Sequence, residues 1–181
     1  MIVAVHGGSF DPVHVGHLLA GAWVTWTAQA AEVWAVPVST HPFGKPIVAP
    51  YAERVAMLET VAAGVPWLRV STIESELQAP GFSIDTLDAL RRRHPTHRFR
   101  LMVGADVIPE TPRWKDWARI QREYEPIVVG RHGYPGPPGA VELPAVSASD
   151  IRERAGRGAP IDGLVPSRVI DHVRRLYGPL R

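Results

Sequence analysis

Residues 2–18 read IVAVHGGSFDPVHVGHL, and this stretch decides the fold. Its first five residues form an apolar run that predicts a strand, and the two glycines predict a turn into a helix. His14 and His17 lie three residues apart at the start of that helix, so their side chains share one face. Backbone N–H groups and imidazoles both donate hydrogen bonds to phosphate, so the stretch predicts phosphate binding at a helix N-terminus. A glycine turn with two merely polar histidines is one alternative, and a metal-binding pair is another, although it would need a third ligand.

The composition is that of an ordinary globular protein with a slight excess of positive charge. The 181 residues include no cysteine, which excludes disulfides, thiolate catalysis and zinc–thiolate sites. The formal net charge of +2 suits an anionic ligand. The basic run at 91–94 is predicted to end a helix in solvent rather than to bind nucleic acid. No apolar run approaches the roughly 20 residues that cross a bilayer. We therefore expect a cytoplasmic protein without nucleic-acid or membrane partners, and the oligomeric state stays unknown.

Strand-like and helix-like segments alternate along the rest of the chain. Apolar runs predict strands at 33–38, 67–71, 98–104 and 126–130. Helical patterns cover 50–63, 83–93, a short stretch from about 147 and a last one from about 166. This order predicts a single α/β domain over 1–181, including the C-terminal helices: a Rossmann-like parallel sheet with helices on both faces. Ligands of such sheets bind beyond the carboxyl ends of the strands, here 6–8, 37–45, 104–106 and 130–131.

Side-chain types add local expectations. Ser83 is predicted to cap its helix, and Ser147 or Ser149 to cap the short helix that follows. Trp23 and Trp26 fall in the apolar pattern of the first helix and are predicted to pack in the core.

Several motifs resemble one known family. The segments GSFDP (8–12) and HVGH (14–17) are similar to the HxGH signature of the nucleotidyltransferase α/β phosphodiesterase superfamily. Further segments resemble the bacterial nicotinate (or nicotinamide) mononucleotide adenylyltransferases. In order along the chain they are PGFSIDTL (80–87), VGAD (103–106), PRW (112–114), VSASDIR (146–152) and LVP (164–166). The resemblance extends from residue 2 to about residue 178.

The resemblance implies the HxGH nucleotidyltransferase fold and an enzyme of NAD biosynthesis. Such an enzyme joins ATP to nicotinate mononucleotide and releases deamido-NAD and pyrophosphate. Because the mononucleotide phosphate attacks the α-phosphorus directly, catalysis would consist mainly of positioning and charge stabilisation. Mg²⁺ is expected to bridge the phosphates and to be held largely by ATP, so no metal-binding residue is predicted.

The resemblance also implies roles for individual residues. It makes His14, His17 and Arg152 catalytic, in contact with the reacting and leaving phosphates. The residues implied to bind ATP are Gly8, Ser9, Phe10, Gly16, Gly104, Asp106, Ser147 and Ser149. The residues implied to bind the acceptor are Lys45, Ser83, Thr86 and Trp114, whose indole would stack on the pyridine ring.

Departures from the family pattern fall on the acceptor side. Ser83 and Phe82 replace a threonine and a tyrosine, Lys115 follows Trp114 where an aromatic residue is common, and the loop around Lys45 is altered. Adenylyl transfer is therefore a firmer expectation than the acceptor. Nicotinate mononucleotide is expected first, then the amide form, then another phosphorylated acceptor. A nucleotide-binding protein without catalysis is the remaining alternative.

Overall fold

A parallel sheet forms the centre of the fold. The computed structural model describes residues 1–27, 29–77, 81–134, 136–138 and 140–179, so Pro80 of the predicted PGFSIDTL motif lies outside the described residues. Within these ranges six strands pair in parallel in the order β3-β2-β1-β4-β5-β6. They are β1 (Ile2–Gly8), β2 (Glu32–Pro37), β3 (Leu68–Val70), β4 (Arg98–Gly104), β5 (Ile127–Arg131) and β6 (Glu142–Leu143).

Helices connect the strands and cover both faces of the sheet. They are α1 (Val15–Trp26), α2 (Tyr51–Ala62), α3 (Ser83–Arg93), α4 (Trp117–Tyr124), α5 (Ala148–Gly156) and α6 (Ile170–Tyr177). Shorter 3₁₀ segments span Ile73–Ser75, Ala105–Arg113 and Ser167–Val169. The predicted Rossmann-like α/β architecture is confirmed.

The alternation of side chains along β1 divides the core in two. Ala4 packs with buried residues of α1, α2, α5 and α6, whereas Val3 and Val5 pack with those of α3 and α4. Successive side chains of a strand point to opposite faces, which is why an apolar run without polar alternation forms a strand buried on both sides. The helices at the C-terminal end share the first core, so they are packed against the sheet.

Most predicted segments match the observed ones to within about two residues, and β4 and α3 match at both ends. The last helix is the exception, because a 3₁₀ turn over Ser167–Val169 precedes α6, which begins at Ile170 rather than near 166. Two elements, α4 and β6, were not predicted. The expected glycine turn is wrong in detail, because β1 continues through Gly7 and Gly8. The left-handed residue is Phe10, with φ at 48°, and its ring is buried against the ring of His17. Burial of that ring offsets the strain of a positive φ in a residue with a Cβ.

Two other local expectations are also wrong. Ser83 is the first residue of α3, and Phe82 occupies the cap position. Ser147 does precede α5 as its cap, but its side chain makes no capping hydrogen bond. Trp26 is 81% exposed, because at about 3.6 residues per turn it lies on the face of α1 opposite the buried Val24. Trp23 packs against the core as predicted.

Candidate active site

A cavity of about 420 Å³ opens at the carboxyl ends of the strands. It lies beside β1 and β4, the two strands from which the sheet order runs in opposite directions, and this is where open α/β sheets bind ligands. All four predicted strand ends contribute to its wall, so the cavity lies where the sequence predicts a ligand site. Its size lies within the usual range of small-molecule sites, roughly 300–1,000 Å³.

Three histidines meet on one wall of this cavity. His14 caps α1, and its backbone N–H donates to Nδ1 of His17 over 3.1 Å. The two rings stack with centroids 3.6 Å apart. The ring of His6, from the carboxyl half of β1, lies 5.3 Å from the ring of His17. The predicted pair therefore exists, and His6 is an addition that only the strand register reveals.

The environment keeps these imidazoles neutral. Burial lowers the pKa of His6 to about 4 and that of His14 to about 3, and the positive charge of Arg131 lowers the latter further. The pKa of His17 is also well below its usual value, mainly through burial. Nδ1 of His14 is buried and has no hydrogen-bond partner in the protein. A buried polar atom without a partner is rare, so this nitrogen is suited to meet a bound ligand.

Arg152 approaches the cavity from α5 but does not line it. Its guanidinium donates to the main-chain oxygen of Asp11 over 2.5 Å and lies 3.6 Å from that residue's carboxylate. A further contact of 3.3 Å joins it to Oγ of Ser149, which also lies outside the wall. Arg152 is therefore tied through Asp11 to the Gly7–His17 segment, and it also contacts Ser149 of its own helix.

Asp11 is a buried anchor that the sequence did not reveal. Its carboxylate accepts the backbone N–H groups of Val48 (2.7 Å) and Ala49 (2.9 Å) and the hydroxyl of Tyr177 (2.6 Å). These contacts join the loop after β1 to the loop before α2 and to the last helix. Charge-assisted hydrogen bonds of this kind are about twice as strong as neutral ones, so the loop after β1 is firmly positioned.

Arg54 of α2 also holds the loop after β1 in place. It is 1% exposed, and its guanidinium donates to the carbonyl oxygens of Ser9 (2.6 Å), Val38 (2.8 Å) and Ala49 (3.2 Å). Three carbonyls from two loops, the one after β1 and the one between β2 and α2, thus converge on one cation. The sequence carried no sign of this role, since Arg54 falls in an otherwise ordinary helical pattern.

Asp106 and Arg131 form an ion pair on the wall next to the histidines. Arg131 donates to the Asp106 carboxylate and, over 3.1 Å, to the main-chain oxygen of Val146. Gly104 lets this carboxylate fold back over the chain, because a Cβ there would lie 2.3 Å from Oδ1 of Asp106. The predicted residues Gly104 and Asp106 both line the cavity, and Arg131 is a further lining residue that was missed.

The opposite end of the cavity contains the residues expected to bind the acceptor. Trp114 lies on the wall with its ring 5.6 Å from that of Trp117, and its indole N–H is buried without a partner. Thr86 also lies there, but its hydroxyl donates to Oε1 of Glu74 over 2.5 Å. Nζ of Lys45 lies 3.4 Å from the Glu110 carboxylate.

Glu74 lies on the cavity wall near Thr86, although the sequence did not predict it as a site residue. Its carboxyl group is buried, Oε2 has no partner, and burial raises its pKa. A Cβ on the neighbouring Gly81 would lie 1.8 Å from Oε2, so the glycine is required by close packing. No charge pattern in the sequence distinguishes this carboxylate from the exposed Glu76 two residues later.

The cavity brings together most of the predicted site residues, which come from both halves of the chain. Those on its wall are Gly8, Ser9, His14, Gly16, His17, Lys45, Ser83, Thr86, Gly104, Asp106, Trp114 and Ser147. Phe10, Ser149 and Arg152 lie behind it. Within the described ranges, no group of three or more His, Cys, Asp or Glu side chains is arranged to hold a metal ion. None of the helices in those ranges is long and apolar enough to span a membrane.

Comparison with known proteins identifies the class. Residues 5–154 match the cytidylyltransferase-like family. A solved structure, Plasmodium falciparum nicotinic acid mononucleotide adenylyltransferase complexed with NaAD, superposes with a TM-score of 0.77 at 18% identity. It covers 96% of this chain and 95% of its own, and at that identity it supports the fold.

Sequence relatives narrow the class to a family. A protein of Anaeromyxobacter dehalogenans (strain 2CP-C) named "Probable nicotinate-nucleotide adenylyltransferase" is 44% identical over 97% of this chain and 96% of its own length. One of Myxococcus xanthus (strain DK1622) with the same name is 42% identical over 97% and 94%. The chain therefore belongs to the nicotinate-nucleotide adenylyltransferase family, as the sequence motifs predicted.

Proposed function

We propose that this protein joins ATP to nicotinate mononucleotide, giving deamido-NAD and pyrophosphate, as an enzyme of NAD biosynthesis. The observation that carries the proposal is the arrangement of the cavity's two ends. One end presents the neutral His14–His17 pair beside a helix start, and the other presents the indole of Trp114. The relatives' names agree with this chemistry.

In the proposed reaction, an oxygen of the mononucleotide phosphate forms a bond to the α-phosphorus of ATP. The bond from that phosphorus to the bridging oxygen breaks, and its electron pair leaves with pyrophosphate. His14 and His17 donate hydrogen bonds to the oxygens on which charge accumulates. Gly16 keeps His14 in place, since a Cβ there would lie 3.0 Å from its ring.

The other residues on the ATP side position the triphosphate. Gly8 and Ser9 offer backbone or hydroxyl donors, and Ser147 precedes the positive end of α5. Arg152 reaches the β- and γ-phosphates by exchanging its carbonyl contact for a stronger anionic acceptor. Ser149 helps to position Arg152, because its Oγ accepts a hydrogen bond from the guanidinium over 3.3 Å.

Three further residues complete the ATP side of the proposal. Phe10 supports the ring of His17 from behind, with the two centroids 4.8 Å apart. Asp106 accepts the ribose hydroxyls, and Gly104 leaves its carboxylate the room to do so. Mg²⁺ bound together with ATP would neutralise phosphate charge, and the phosphates would hold it, since the described residues form no metal-binding cluster of their own.

On the acceptor side, Trp114 stacks on the pyridine ring, while Lys45, Ser83 and Thr86 line the space around it. Nicotinamide mononucleotide or another phosphorylated acceptor is the alternative substrate for the same chemistry. A cytoplasmic location, a single domain and the lack of nucleic-acid partners stay predictions of the sequence.

Pyrophosphate release with ATP and each mononucleotide tests the proposal. The acid should be used faster than the amide, and His17→Ala should lower kcat by roughly 10²–10³-fold while ATP binding persists. His97→Ala, at the amino end of the sheet, is the matched control and should retain activity. ATP binding without turnover on any acceptor would instead favour the non-catalytic alternative, and near-normal turnover of His17→Ala would contradict its role.

A further inference from the structure

Lys115 holds an ammonium group at the acceptor end of the cavity. It follows Trp114 directly and lies on the cavity wall. Its Nζ donates to both carboxylate oxygens of Asp85, over 2.9 and 2.8 Å, and lies 5.3 Å from the centre of the Phe82 ring. These contacts hold the charge beside the first turn of α3, next to Ser83.

The surroundings leave this charge available to a ligand. Lys115 lies on the cavity wall but its partner Asp85 does not, so this ion pair contributes a cation and no carboxylate to the lining. Lys45, the other lysine of the wall, pairs with Glu110, which is itself a wall residue. Glu74 is a buried carboxyl group on the same cavity wall as Lys115, and burial raises its pKa, which favours the uncharged form. The end of the cavity near Trp114 therefore favours an anionic group.

We propose that Lys115 determines the preference for an acceptor whose ring carries a carboxylate over the corresponding amide. With the pyridine ring on Trp114, the ammonium donates a charge-assisted hydrogen bond to the ring carboxylate, whereas the neutral amide gains no ionic contribution. Asp85 moderates the effect, because it competes with the ligand for the same ammonium. This inference rests on the proposed function.

The test compares kcat/KM for nicotinate and nicotinamide mononucleotide. In Lys115→Met the ratio of acid to amide should fall about tenfold, the equivalent of one charge-assisted hydrogen bond, through a higher KM for the acid. Lys115→Arg should keep most of the ratio. Asp85→Asn should raise the ratio, because the ammonium loses its competing anion. Added salt should weaken use of the acid by the wild type more than by Lys115→Met.

Arg122→Gln is the matched control, since it removes an exposed cation of α4 that lies outside the cavity wall, and its ratio should equal that of the wild type. Calorimetric dissociation constants for the two mononucleotides give the same comparison without turnover. Tighter binding of the acid that depends on Lys115, together with no turnover, would support this inference and contradict the proposed function. An equal ratio in wild type and Lys115→Met, or an equal loss on both acceptors, would overturn this inference alone.

Discussion

Replacing Arg54 with methionine should destabilise the protein strongly, although the residue lies on a helix and contacts no ligand. Its guanidinium is the partner of three main-chain oxygens, on Ser9, Val38 and Ala49. Leaving each buried carbonyl without a donor costs on the order of 1 kcal/mol or more, so we expect a total loss of about 3–5 kcal/mol. In a chain of this size that corresponds to a decrease in Tm of roughly 10 °C.

Urea and thermal unfolding measure this loss, with Arg100→Met as the control. Arg100 makes a single 2.9 Å hydrogen bond to the main-chain oxygen of Glu125 at an exposed site, so its replacement should cost less than about 1 kcal/mol. The KM for ATP should also rise in Arg54→Met, because Ser9 lies on the cavity wall. If the two variants lose the same stability, water replaces the guanidinium and the argument for an anchor that joins two loops fails.

Two further predictions concern packing and pH. Gly81→Ala places a Cβ 1.8 Å from Oε2 of Glu74, so thermal unfolding should show a loss of about 1–3 kcal/mol, whereas Gly156→Ala, with room for its methyl group, should show none. The folded-state pKa values of His6 (about 4) and His14 (about 3) lie below the unfolded value of 6.5, so the unfolded chain takes up protons first on acidification. The two neutral histidines therefore stabilise the folded protein fully only above about pH 6.5. The free energy of unfolding should fall by about 2 kcal/mol per histidine between pH 7 and 5. Urea unfolding of His6→Phe should recover about 2 kcal/mol of that loss, and an unchanged pH slope would show that His6 is not the buried base described here.

Much of the secondary structure follows from the sequence because its causes are local. The apolar run of β4 and the helical spacing of α3 predict both elements over the observed residues. The errors arise where tertiary packing overrides a local preference. Phe10 takes the left-handed conformation in place of the glycines because its ring is buried. Trp26 is exposed because it lies on the face of α1 opposite the buried Val24.

The candidate site likewise contains residues that a local motif reveals and residues that only the tertiary structure brings together. The HxGH segment is contiguous, so the histidine pair and its helix start are visible in the sequence. Asp106 and Gly104 were also found through a short motif. Glu74 and Arg131 were missed, because neither has a local pattern and each acquires its role only when separate strand ends meet at the cavity.

By itself the sequence determined the strands and helices other than α4 and β6, and it placed the histidine pair at the start of α1. Hydrophobic period and contiguous motifs depend on near neighbours, which is why these features are visible in it. The tertiary structure decided how that start is held. Asp11 meets Arg152 across 141 residues and Tyr177 across 166, and Arg54 reaches Ser9 across 45. Such contacts have no local periodicity, because they depend on the parallel crossovers that bring distant loops to one edge of the sheet.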